Sequence, residues 1–115
     1  MSESKLGTVR IAPSVLATIV SLTARSQKGV ADMSAVSRPP GRMLHRTNSG
    51  NAPGVSLQVR NGSIAADVYI VAQPDTNLKT LGQTLQRRVR EALEQMVAMP
   101  ADQVNIFIED VSDQE

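Results

Sequence analysis

VSLQVRNGSIAADVYIVAQPD, residues 55–75, decides the fold. Its first six residues alternate: Val55, Leu57 and Val59 point one way, Ser56, Gln58 and Arg60 the other. That period of two is the signature of a half-buried strand. Asn61-Gly62 follows, a dipeptide that tolerates the positive φ angles of a tight hairpin turn. The alternation then resumes, with Ile64, Ala66, Val68 and Ile70 on one face and Ala65, Asp67, Tyr69 and Val71 on the other. Pro74 ends the second strand, and Asn77 is suited to cap a helix.

Downstream of the hairpin, Leu78 to Met99 reads as one long helix. Leu78, Leu81, Leu85, Val89, Leu93 and Met96 form its apolar stripe, and Pro100 stops it. Arg87–Glu91 and Arg90–Glu94 are spaced as i,i+4 pairs on a solvated side. A last strand is expected over Gln103–Val111. Val104, Ile106 and Ile108 would point inward, and Asn105, Phe107, Glu109 and Val111 outward. The helix is long enough for a crossover, so this strand can lie parallel to a neighbour.

Upstream, Thr8–Ile11 is a strand candidate, and Pro13 suits the first turn of a helix. Val15, Leu16, Ile19, Val20 and Leu22 make that helix's apolar face, with Gly29 as its stop. Val30–Met33 reads as extended chain. Residues 34–54 have no apolar period and are rich in Pro, Gly, Ser and Asn, so they read as one long loop. Residues 1–6 and the acidic residues 112–115 read as tails around one domain at 7–111. The expected order is strand, helix, hairpin, helix, strand. It predicts an α+β two-layer sandwich with two helices on one face of a small mixed sheet.

Gly7, Val9, Ile11, Ala12, Gly29, Val30 and Met33, within GTVRIAPSVLATIVSLTARSQKGVADM, resemble the opening of the alkaline shock protein family of small bacterial envelope-stress proteins. Gly54-Val55, the hairpin with Asp67 and Tyr69, Asn77 and the closing VNIFIEDV resemble the rest, so the likeness runs from Gly7 to Val111. The mid-chain loop departs from it, being rich in Arg and Pro, as do Lys79 and Thr80 early in the second helix. The resemblance implies a role in envelope homeostasis or alkaline stress and no enzymatic activity. It also implies self-association or association with a paralogue, and a place beside the membrane through a small membrane-anchored partner.

The residues themselves limit the chemistry. There is no Cys, which excludes disulfides and thiolate metal sites, and no cofactor or metal site is expected. His45 is the only histidine, sits among arginines in the loop, and has no nucleophile or orienting partner in its sequence surroundings. No phosphate-binding glycine motif is present. The first residues lack the apolar core of a signal peptide and no apolar run is long enough for a membrane helix, so a cytoplasmic protein is expected.

Two features remain. Arg38, Arg42 and Arg46 make the loop basic, which offers an anion or nucleic-acid contact. Tyr69 and Phe107, the only Tyr and the only Phe, fall on the sheet face away from the helices. Gln58, Arg60, Val71 and Asn105 share that face, which a two-layer domain leaves uncovered. An apolar centre inside a polar rim reads as a protein interface. The alternative function is a nucleic-acid-binding module that uses the basic loop with Arg60 and the same aromatics.

Overall fold

The structure is a computed structural model that describes residues 6–34 and 49–113. Its elements are α1 (Pro13–Arg25), β1 (Val30–Met33), β2 (Ser49–Ala52), β3 (Val55–Arg60), β4 (Ser63–Ala72), α2 (Leu78–Val97) and β5 (Ala101–Val111). The fold is α+β, and the sheet is mixed. β4 pairs antiparallel with β1 and β3 and parallel with β5, while β2 pairs antiparallel with β3.

The hairpin follows its sequence. Arg60 pairs with Ser63, and Asn61 and Gly62 take φ values of 52° and 78°, the left-handed pair that the turn requires. β4 is the hub. Tyr69 donates its N–H to the Gly54 carbonyl at 2.8 Å and accepts the Ser34 N–H at 2.9 Å. Both groups leave a strand residue on the same side, so β3 and β1 lie end to end along one edge of β4. β5 occupies the other edge over the whole length. Gly54 sits at the joint with φ +73°, and a Cβ there would stand 2.7 Å from the Tyr69 carbonyl and 2.8 Å from Met33 Cβ.

Both helices lie against one face. Ile64, Ala66, Val68, Ile70 and Ala72 of β4, with Val55, Leu57 and Val104, are buried beneath Leu16, Ala17, Val20 and Ala24 of α1 and Leu81, Leu85, Val89 and Leu93 of α2. Ser21 is buried with them and satisfied, its hydroxyl donating to the Pro53 carbonyl at 2.8 Å. Asn77 caps α2 by accepting the Thr80 N–H at 3.0 Å. Ala98 adopts φ 55°, which ends α2 at Val97, before the proline is reached.

The observed order differs from the expected one. Thr8–Ile11 forms no strand: Val9 is 90% exposed, and no ladder among the described residues includes it. A strand exists by virtue of a partner, and both edges of β4 are already taken. Gly7 at φ +112° also breaks the extended run just before it. Conversely, Val30–Met33 is a true strand, and residues 49–52 of the expected loop form β2 on the free edge of β3. Gly50 allows this, because a Cβ there would collide with the Pro13 carbonyl at the start of α1. The apolar stripe of α1 is also rotated from expectation, leaving Val15 and Leu22 exposed and burying Ala17 and Ala24. In α2, Leu78 and Met96 lie at the ends of the stripe and are exposed.

Candidate interaction surface

The β4–β5 register builds the uncovered face. It pairs Asp67 with Asn105 and Tyr69 with Phe107. Alternation sets these four on the side opposite the helices, because their neighbours Ala66, Val68 and Ile70 are buried. The rings of Tyr69 and Phe107 stack, with centroids 4.8 Å apart and planes inclined by 17°. Phe107 remains 39% exposed. Below the stack, Asn105 donates its side-chain amide to the Asp67 carboxylate at 2.9 Å. Each rung therefore carries a specific side-chain contact.

Toward the hairpin, Gln58 and Arg60 are exposed on β3, and Arg60 Nη2 donates to Gln58 Oε1 at 3.5 Å. They line an open groove of about 400 Å³ with Asn61, Ser63, Ala65, Asp102 and Gln103. Within that lining, Ser63 donates its hydroxyl to Asp102 Oδ2 at 2.9 Å. At the other end, Val71 is half-buried between Asp32 of β1 and Asp110 of β5. Of the residues singled out in the sequence, Tyr69, Phe107, Asn105, Gln58, Arg60 and Val71 thus share one face. Arg38, Arg42, Arg46 and His45 lie outside the described residues.

Val111 does not join that face. The ladder is irregular between Ile70 and Val71, so Asp110 pairs with Val71 and Val111 pairs with the buried Ala72. One extra residue reverses the alternation beyond it. Periodicity alone sets Val111 outward, and the inserted residue, Glu109, carries no marker such as Gly. The acidic Asp110 takes the place beside Val71 instead.

The electrostatics of the face are set by acids. The Tyr69 hydroxyl is pushed above the usual tyrosine range, first by partial burial and then by the carboxylates of Asp67 and Glu109. It therefore stays protonated, a neutral donor, at any physiological pH. Among the described residues no cluster of three His, Cys, Asp or Glu is placed to hold a metal ion. The expected Arg87–Glu91 and Arg90–Glu94 pairs do not form. Glu94 accepts the Ala101 N–H at 3.3 Å instead, tying the end of α2 to the start of β5. Arg88 reaches Gln27 at 2.7 Å, and Arg25 forms an ion pair with Asp32 at 3.0 Å.

A sequence profile of the alkaline shock protein family, described by a "cell envelope-related function", matches residues 1–113. The chain belongs to the alkaline shock protein family. The resemblance read from Gly7 to Val111 therefore holds over nearly the whole chain. Membership assigns it to a group with a cell-envelope-related function. Among individual relatives, the uncharacterized protein Spy1535 of Streptococcus pyogenes serotype M6 is 27% identical, covering 96% of this chain and 84% of its own. The uncharacterized protein YqhY of Bacillus subtilis is also 27% identical, covering 92% and 78%. Among solved structures, MamM CTD M250L superposes with a TM-score of 0.50 over 84% of this chain and 94% of that one. Their identity is 12%, so this likeness concerns the fold alone. No described helix is long and apolar enough to cross a membrane.

Proposed function

We propose that this alkaline-shock-family chain is a non-enzymatic scaffold of the cell envelope that works by protein contact through the uncovered face of its sheet. One observation carries the reading: the Tyr69–Phe107 stack lies open at the centre of a face whose other side chains are mostly polar. Aromatic side chains are the residue types that anchor protein interfaces. The rim of Gln58, Arg60, Asp67 and Asn105 supplies donors and acceptors that fix orientation without a deep cavity. The partner class is a second copy, a paralogue or a small membrane-anchored protein, which would hold the chain at the cytoplasmic side of the membrane.

The test is capture of partners from nuclease-treated native lysate with the tagged chain, alongside the Tyr69→Ala/Phe107→Ala double variant. Protein partners retained by the parent chain and lost by the folded variant support the reading. Equal capture by both rejects it. Nucleic acid recovered without nuclease, with salt-sensitive retention, would move the function to the basic loop of Arg38, Arg42 and Arg46.

A further inference from the structure

β5 is an edge strand, and its open side is unusually bare. The Ile64 N–H bonds the Pro100 carbonyl at 3.0 Å and the Ser112 N–H bonds the Ala72 carbonyl at 2.8 Å. Even-numbered residues of β4 therefore face β5, and with the register Ala66–Val104, Val68–Ile106 and Ile70–Ile108, the odd-numbered residues of β5 face back. The backbone groups of Val104, Ile106 and Ile108 are left pointing outward. Gln86 of α2 occupies one of them, donating its amide to the Val104 carbonyl at 3.1 Å. No other strand of the described residues lies against this edge.

Natural edge strands are shielded by lysine, proline, charge or shortness. β5 has eleven residues and no Lys, Arg or Pro. Its middle, Gln103–Ile108, is six consecutive uncharged residues rich in strand formers. Its charges stand at the two ends, Asp102 on one side and Glu109 and Asp110 on the other.

We propose that the open edge of β5 pairs antiparallel with the same edge of a second copy, about a two-fold axis at Phe107. This names the partner for the interaction reading above and rests on it for the self-associating branch. The end charges narrow the register, and Gln86 on the Val104 carbonyl disfavours a centre at Asn105, which would need that carbonyl to pair Val104 with Ile106. A parallel pairing sets Asp102, Glu109 and Asp110 each against itself. An antiparallel pairing centred on Ile106 sets Asp102 against Asp110 of the second copy, twice. Centred on Phe107, Asp102 meets Ser112, Asn105 meets Glu109, and no two acids are opposed. Ile106 then exchanges both backbone hydrogen bonds with Ile108 of the second copy, and the reverse pair repeats this, so the outward groups of Ile106 and Ile108 are satisfied. Phe107 faces Phe107 of the second copy at a non-hydrogen-bonded position, where side chains come closest. The two Tyr69–Phe107 stacks become one row of four rings on a continuous sheet. Each chain has a single β5 edge, so the contact closes as a dimer.

The chain has no cysteine, so introduced thiols report the register directly. Sedimentation velocity should give a dimer of twice the 12.3 kDa chain mass. Under mild oxidation Phe107→Cys should form disulfide-linked dimers, because opposed residues there are about 4.5 Å apart between Cα atoms and a disulfide spans about 4.4–6.8 Å. As a second arm that keeps the ring, an equal mixture of Asn105→Cys and Glu109→Cys chains should cross-link, while each alone should not. A monomeric parent chain overturns the edge pairing and leaves the outer-face reading standing, since that is read by partner capture. A dimer in which neither arm cross-links, or in which Asn105→Cys links to itself, overturns the pairing as well.

Discussion

Removing the Tyr69–Phe107 stack should weaken the domain without unfolding it. Phe107 is 39% exposed, so roughly three-fifths of its side chain is out of water. Full burial of a Phe side chain is worth about 1.5–3 kcal/mol, which makes truncation of Phe107 to Ala cost about 1–2 kcal/mol. The two rings, 4.8 Å apart at 17°, add a coupling of about 1 kcal/mol. That coupling is lost in either single variant, so the double variant loses less than the sum. At about 4–5 °C per kcal/mol for a chain of this size, the combined loss of about 2–3 kcal/mol should make Phe107→Ala melt about 8–15 °C lower. The assay is urea unfolding of the parent, both singles and the double, followed by helical circular dichroism, since the substitutions remove both aromatic chromophores. It is run at two protein concentrations, because a self-associating chain gains apparent stability with concentration. A coupling indistinguishable from zero refutes the stack as an energetic unit. A double variant without cooperative unfolding refutes the separation of face from core, on which the partner-capture experiment depends.

Tyr69 is the single tyrosine, so phenolate absorbance reports it alone. Its titration midpoint should lie above the ordinary value near 10, and Asp67→Asn should bring it down by removing one of the two raising carboxylates. Because the folded state holds this proton more tightly than the unfolded one, its contribution to stability is complete below about pH 10 and is lost as pH rises through the folded midpoint. A midpoint below that of a free tyrosine would contradict the geometry. Gly54→Ala should cost about 3 kcal/mol, combining a left-handed backbone with a Cβ 2.7 Å from the Tyr69 carbonyl. Chemical denaturation checks it, and a loss below about 1 kcal/mol would mean that the β1–β3 joint relaxes freely.

The parts of the fold that were legible in the sequence are those whose residues act locally. The β3–β4 hairpin is written in its alternation and in Asn61-Gly62, and α2 in Asn77 and the Leu81–Leu93 stripe. The outward position of Tyr69 and Phe107 follows from the same alternation. What escaped depends on neighbours distant in the chain. SGNA, residues 49–52, has little strand propensity and is extended because β3 offers an open edge. Thr8–Ile11 has the right residues but pairs with no described strand, both edges of β4 being taken by others. The reversal at Glu109 that redirects Val111 reflects how β5 fits β4, and neither strand signals it alone. The Gln86 contact to the Val104 carbonyl likewise required the helix and strand to be docked before it could be seen.

The parallel pairing of β4 with β5 also shapes how the chain finds this structure. The hairpin partners are near neighbours in sequence, but Asp67 and Asn105 are separated by 38 residues. Closing such a loop as flexible chain carries an entropic penalty that grows by about 0.6 kcal/mol per doubling of length. α2 takes up twenty of those residues as a stiff rod, and its cap and apolar stripe let it form early. Once it lies along the hairpin, β5 has only a short search to reach β4. Weakening the Asn77 cap should therefore slow folding more than it hastens unfolding, placing the rate-setting step at the docking of a helix rather than at the zipping of the last strand.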